Sequence, residues 1–85
     1  MMNKFGVCNY NIDSYISKVE NLECFDTYED AFEYYIKQLM KYHNYPYTYD
    51  DTLWIVWIED DTIVQFQQLA DKTKVKLVKI NGDEV

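Results

Sequence analysis

The run LWIVWI (53–58) places six apolar residues in a row inside an 85-residue chain, with Asp50-Asp51 before it and Glu59-Asp60-Asp61 after it. A half-buried strand alternates apolar and polar positions, so an unbroken run of this kind reads either as a strand buried on both faces or as one whose second face is an interface. Leu53, Ile55 and Trp57 point one way, and Trp54, Val56 and Ile58 the other. One helical layer covers one face only. The second face is then closed by the N-terminal segment, met by a second subunit, or left as an interface.

The segments around this run supply its neighbours. Asp60-Asp61 reads as a tight turn into TIVQFQQL (62–69), and ADKT as a turn into KVKLVKI (74–80). Simple alternation sets Val64 and Phe66 on one face and Ile63 and Leu69 on the other with Gln65 and Gln67. Lys74 and Lys76 share one side of an edge strand, where lysine discourages edge-to-edge pairing. KFGVCNY (4–10) is a further strand candidate, weakened by Gly6.

Thr27 followed by Asp30 resembles a capping box, and the residues from Tyr28 to His43 carry helical periodicity. Tyr28, Ala31, Phe32, Tyr35, Ile36, Leu39, Tyr42 and His43 share a face; Glu29, Asp30, Glu33, Tyr34, Lys37, Gln38 and Lys41 lie opposite. Acids near the start, lysines near the end and the Glu33–Lys37 spacing suit a helix dipole and an i,i+4 pair. Apolar positions 12, 15, 16, 19 and 22 also have helical spacing and predict a short helix over about 13–21, started by Asn11 or Asp13, with a strand as the alternative. The expected fold is a single α+β domain over residues 1–85. It has a three- to four-stranded antiparallel meander under one long and one short helix.

Composition narrows the function. The chain is 48% apolar and 18% aromatic, enough for a packed core and too much for a disordered acidic tail. MMNKFGVCNY shows no secretory signal, and no run approaches the length that crosses a bilayer, so a cytoplasmic protein is expected. Cys8 and Cys24 read as free thiols. All eight basic residues are lysines, against fifteen acids, for a net charge of −7. Residues 1–71 hold thirteen of those acids and four lysines, whereas residues 72–85 carry an excess of lysine. An acidic body repels nucleic acid and attracts basic protein surfaces. Gly, Ala and Pro number five, while Phe, Tyr, Met, Ile, Asn and Lys number 37. By the genetic code, this bias points to an AT-rich genome, that of a low-GC bacterium or its phage.

Few residues could support chemistry. His43 is the one histidine, and Cys8, Cys24 and His43 match no metal-ligand spacing, so no metal or other cofactor is expected. With two glycines and no arginine, no phosphate-binding loop can be assembled. The acid pairs Asp50-Asp51, Glu59-Asp60-Asp61 and Asp83-Glu84 suit solvated turns better than a hydrolytic pair. No catalytic residue is assigned, and an enzyme is not expected.

Binding fits better. Tyr45, Tyr47 and Tyr49 offer contact area at small entropic cost, ringed by Asp50, Asp51, Glu59, Asp60 and Asp61, with Trp54 on the second sheet face. Aromatic rings beside carboxylates suit a basic partner surface. In size, charge and coding bias the chain resembles phage-encoded anti-defence proteins, the anti-CRISPR and anti-restriction inhibitors and nucleic-acid mimics. That resemblance implies a basic, nucleic-acid-handling host protein as partner. The alternatives are an immunity protein or antitoxin that neutralises a basic nuclease, and a structural subunit forming a homodimer or larger assembly through the Trp54 face.

Overall fold

A computed structural model describes residues 4–14, 17–42, 52–69 and 72–80, apart from the side chains of Tyr42 and Lys72. The elements are β1 (Phe5–Asn9), β2 (Glu20–Phe25), α1 (Tyr28–Tyr42), β3 (Leu53–Glu59), β4 (Thr62–Gln68) and β5 (Lys72–Lys79). They form an α+β fold in which one five-stranded antiparallel sheet, in the order β2-β1-β3-β4-β5, carries one helix. This exceeds the expected three to four strands by one, and the described residues contain one helix where two were expected. Since β2 and β3 both run antiparallel to β1, they are parallel to each other. Helix α1 is therefore the crossover of a split β-α-β unit, with β1 inserted between its strands.

The helix starts as its sequence requires. Thr27 Oγ1 accepts a hydrogen bond from the Asp30 amide at 3.1 Å, satisfying one of the amides that a helix start leaves unpaired. Lys37 Nζ lies 3.4 Å from Glu33 Oε2 on the solvent side. Ala31, Tyr35 and Leu39 are fully buried against Val7, Leu53 and Ile55. Tyr34, assigned by periodicity to the polar face, instead packs on Phe25 with ring centroids 5.2 Å apart.

The short helix is replaced by a turn and an edge strand. Asn11 Oδ1 accepts from the Asp13 amide at 3.2 Å, and Ser17 Oγ accepts from the Asn11 amide at 2.9 Å. These side-chain bonds offer the backbone a non-helical alternative, and β2 then begins at Glu20. The apolar spacing nevertheless reported real burial: Ile12, Val19 and Leu22 pack onto the second face of the sheet. There they join Cys8, Tyr10, Trp54, Val56, Ile58, Ile63 and Phe66 in a core that no described helix touches. Trp54 Nε1 donates to the Tyr10 carbonyl at 2.8 Å, fastening this cover to β3. Thus β3 is buried on both sides within one chain.

Strand β4 departs from simple alternation. The register slips between Trp57 and Ile58 of β3 and again between Ile63 and Gln65 against β5, the mark of a bulge. Ile63 and Phe66 consequently share the second-face core, while Leu69 joins the helix-side core. Val64 falls at the register shift and has no direct partner in β3 or β5.

Gly6 explains its own place in a central strand. A Cβ there would lie 2.8 Å from Leu22 Cδ1, 3.0 Å from the Glu23 carbonyl oxygen and 3.3 Å from Ile58 Cδ1. The backbone contact cannot be relieved by a rotamer change. Gly6→Ala is expected to cost about 1–3 kcal/mol, as overpacking does, read as a lower urea midpoint with unchanged m-value.

Candidate protein-binding surface

The described site residues separate into two groups. Trp54 is 3% exposed and makes an edge-to-face pair with Phe66 at a centroid distance of 5.6 Å. It belongs to the second-face core with Tyr10, Val56 and Phe66. Glu59, Asp60 and Asp61 are exposed at the β3–β4 hairpin. Tyr45, Tyr47, Tyr49, Asp50, Asp51 and His43 lie outside the described residues. Thr52 adjoins the opposite end of β3 from Glu59.

The hairpin tip has a definite geometry. Asp60 and Asp61 have φ values of 52° and 60°, and Glu59 pairs directly with Thr62. Two positive-φ residues between paired strands make a type I′ turn, whose twist matches the strands but which favours Asn-Gly over two acids. The Ile80 amide donates to the Asp61 carbonyl at 2.9 Å, bracing the tip against the end of β5.

Sequence reasoning missed the other half of this surface. Phe25 of β2, Phe5 of β1 and Trp57 of β3 form one cross-strand row, and Tyr28 of α1 packs on Phe5 and Trp57 at 6.1 Å and 5.5 Å. Asp26, Glu29 and Asp30 therefore enter at the same sheet end as Glu59, Asp60 and Asp61. Phe25 and Trp57 stand two strands apart, about 10 Å. All six carboxylates belong to exposed residues. Lys4 and Lys79 also reach this end, through the bond from the Ile58 amide to the Lys4 carbonyl and the pairing of Lys79 with Thr62. The net balance there remains acidic. The sequence offered no local signal for it, because strand order brings the two acid clusters together.

A cleft of about 510 Å³ lies between β2 and α1, lined by Asn9, Asn21, Glu23, Tyr34 and Gln38 over Val7, Leu22 and Leu53. Asn21 adopts φ 58° where β2 bulges, and its Nδ2 donates to Asn9 Oδ1 at 3.0 Å. The cleft offers amides, a phenol and one carboxylate. Cys8 and Cys24 are both free, the first buried and the second exposed. Burial pushes the Cys8 thiol up to about 12, with Cys24 adding to the shift. Burial and then Glu23 also raise Cys24. Among the described residues, no group of three or more His, Cys, Asp or Glu side chains is disposed to hold a metal ion. No described helix is long and apolar enough to cross a membrane. No protein-family model matches the chain, and no curated protein or solved structure matches it at a significant level.

Two outcomes follow from this geometry. A thiol reagent should modify Cys24 slowly at neutral pH and reach Cys8 only on unfolding, giving one accessible thiol of two in a colorimetric titration. Because a raised thiol pKa favours the folded state below the unfolded value, the Cys8 contribution is lost as pH climbs from 9.0 towards about 12. Separately, replacing Asp60-Asp61 by Asn-Gly should raise stability by roughly 1 kcal/mol, since it removes left-handed strain and like charge together. Urea denaturation of the double variant measures this.

Proposed function

We propose that this chain is a non-catalytic binding protein whose acidic sheet end docks on a basic surface of another protein. In its specific form the partner handles nucleic acid, and docking inhibits it by occupying the cationic groove. The observation that carries this reading is the gathering of Asp26, Glu29 and Asp30 with Glu59, Asp60 and Asp61 at one sheet end, all exposed. The strain at Asp60 and Asp61 adds weight, because a turn selected for stability alone favours Asn-Gly.

The physics suits recognition by charge. With a Debye length of about 8 Å at physiological salt, carboxylates spread over this end act as one field on an approaching cation. Such a field raises association rates and selects basic partners, while it repels nucleic acid itself. The AT-rich coding bias is compatible with phage or mobile-element origin, and hence with an anti-defence inhibitor. An immunity protein or antitoxin would use the same surface, and a partner encoded beside it would distinguish that case.

Immobilised protein should capture a basic protein from source-cell lysate, released by raised salt and identified by mass spectrometry. Asp60→Asn/Asp61→Asn should slow association with that protein several-fold, with the dissociation rate little changed, in a surface-binding assay. Equal association by wild type and variant, at unchanged circular dichroism, would defeat the reading.

A further inference from the structure

Among the described residues the sheet has two free edges, β2 and β5, and β5 is the unusual one. Val75 is 80% exposed and Leu77 is 73% exposed. Val75 opposes Gln65, which opposes Trp57 of the helix-side core, so Val75 and Leu77 face the side of the sheet that α1 occupies. But α1 packs on β1, β2 and β3 and leaves the β4–β5 half of that face open. An edge strand with two apolar side chains on one face and no strand paired to its outer rim among the described residues is a template for another strand.

We infer that β5 is a homodimer interface, pairing antiparallel with β5 of a second copy about a two-fold axis at Lys76 to make a continuous ten-stranded sheet. Three features select this occupant and this register. First, directly opposed residues of an antiparallel pair share a face, so centring on Lys76 sets Val75 against the partner's Leu77 and Leu77 against the partner's Val75. Centring on Val75 would oppose Leu77 to Thr73, and centring on Leu77 would oppose Val75 to Lys79.

Charge complementarity is the second feature. The chosen register sets Lys72 opposite Ile80 and Lys74 opposite Val78 of the other copy. Ile80 is bonded to the Asp61 carbonyl, and Lys79 pairs with Thr62. The lysine-rich start of each β5 therefore runs beside the other copy's Glu59-Asp60-Asp61 tip, twice by symmetry.

The third feature concerns the axis, where two copies of Lys76 meet. Lys76 Nζ folds back onto its own chain, 3.4 Å from the Ile12 carbonyl and 5.3 Å from the centroid of the Tyr10 ring. The like charges are thereby drawn off the shared rim. Pairing β5 with β2 of another copy would instead give an open-ended chain of copies, and Leu22 and Phe25 of β2 are already half-buried.

Sedimentation of the purified protein over a roughly hundredfold concentration range up to about 1 mM tests the proposal. It should show reversible conversion from the chain mass to twice that mass. Leu77→Glu should weaken the dimer at least tenfold while circular dichroism stays native, since Leu77 is exposed. Lys74→Gln and Asp61→Asn should each weaken it several-fold. In a Cys24→Ser background, Lys76→Cys should oxidise to a disulfide-linked dimer, because opposed Cα atoms lie about 4.5–5.5 Å apart; Thr73→Cys should not. A monomer at every concentration, species that keep growing with concentration, or equal cross-linking at positions 73 and 76 would each overturn it.

Discussion

Strand β3 must be dry on both faces, and the rest of the fold answers that requirement. Its buried side chains each contribute roughly 1.5–3 kcal/mol when fully removed from water, a large share of the stability a chain this small can reach. On one face the crossover from β2 to β3 lays α1 over β1 and supplies Ala31, Tyr35 and Leu39. On the other, Ile12 and Val19 from the connection between β1 and β2 supply the cover. The bond from Trp54 Nε1 to the Tyr10 carbonyl joins cover to strand, and leaving that buried carbonyl without its donor would cost about 1–3 kcal/mol.

This arrangement explains which features were legible in the sequence. Helix α1 has 3.6-residue periodicity, a Thr27 cap and graded charge, all local signals that no tertiary contact overrides. The three C-terminal strands and their order were readable from the turn residues between them. The segment 13–21 was misread because its apolar positions do face a core, but side-chain bonds from Asn11 and Ser17 set the backbone. The period reported burial, not conformation. The placement of β1 between β2 and β3 has no local signature, since it depends on pairing across more than forty residues of chain. The bulge at Val64 was equally silent, and it moved Ile63 onto the face of Phe66.

The same division applies to the acids. Asp60-Asp61 was legible as a turn, and its exposure follows from the type I′ geometry. Asp26, Glu29 and Asp30 had a sufficient local explanation in the helix dipole, which hid their second property. Chain topology stacks the helix start over the Phe25–Phe5–Trp57 row and so beside the hairpin tip. Electrostatic surfaces are sums over strand order, and residue-by-residue reading cannot form them. Trp54 shows the converse: an aromatic that looked like an anchor is consumed by the fold.

Coverage arithmetic then decides what remains open. A helix is about 10–12 Å across, and three adjacent strands span about 10 Å between the outer two. One helix over a five-stranded sheet can therefore dry three strands, here β2, β1 and β3, and must leave β4 and β5 wet on that side. The sequence meets this condition on β4, where Gln65 and Gln67 face the open side and Gln67 Nε2 donates to Tyr28 Oη at 2.9 Å. It does not meet it on β5, where Val75 and Leu77 stand in the next row. Lysines on the opposite face of the same strand keep it from indiscriminate pairing, and they also mean that an approaching strand must bring negative charge to the right place. Each copy of the chain carries such charge at Asp60-Asp61, one strand inward from the exposed row, which is why the open edge of β5 is assigned to a second copy of the chain.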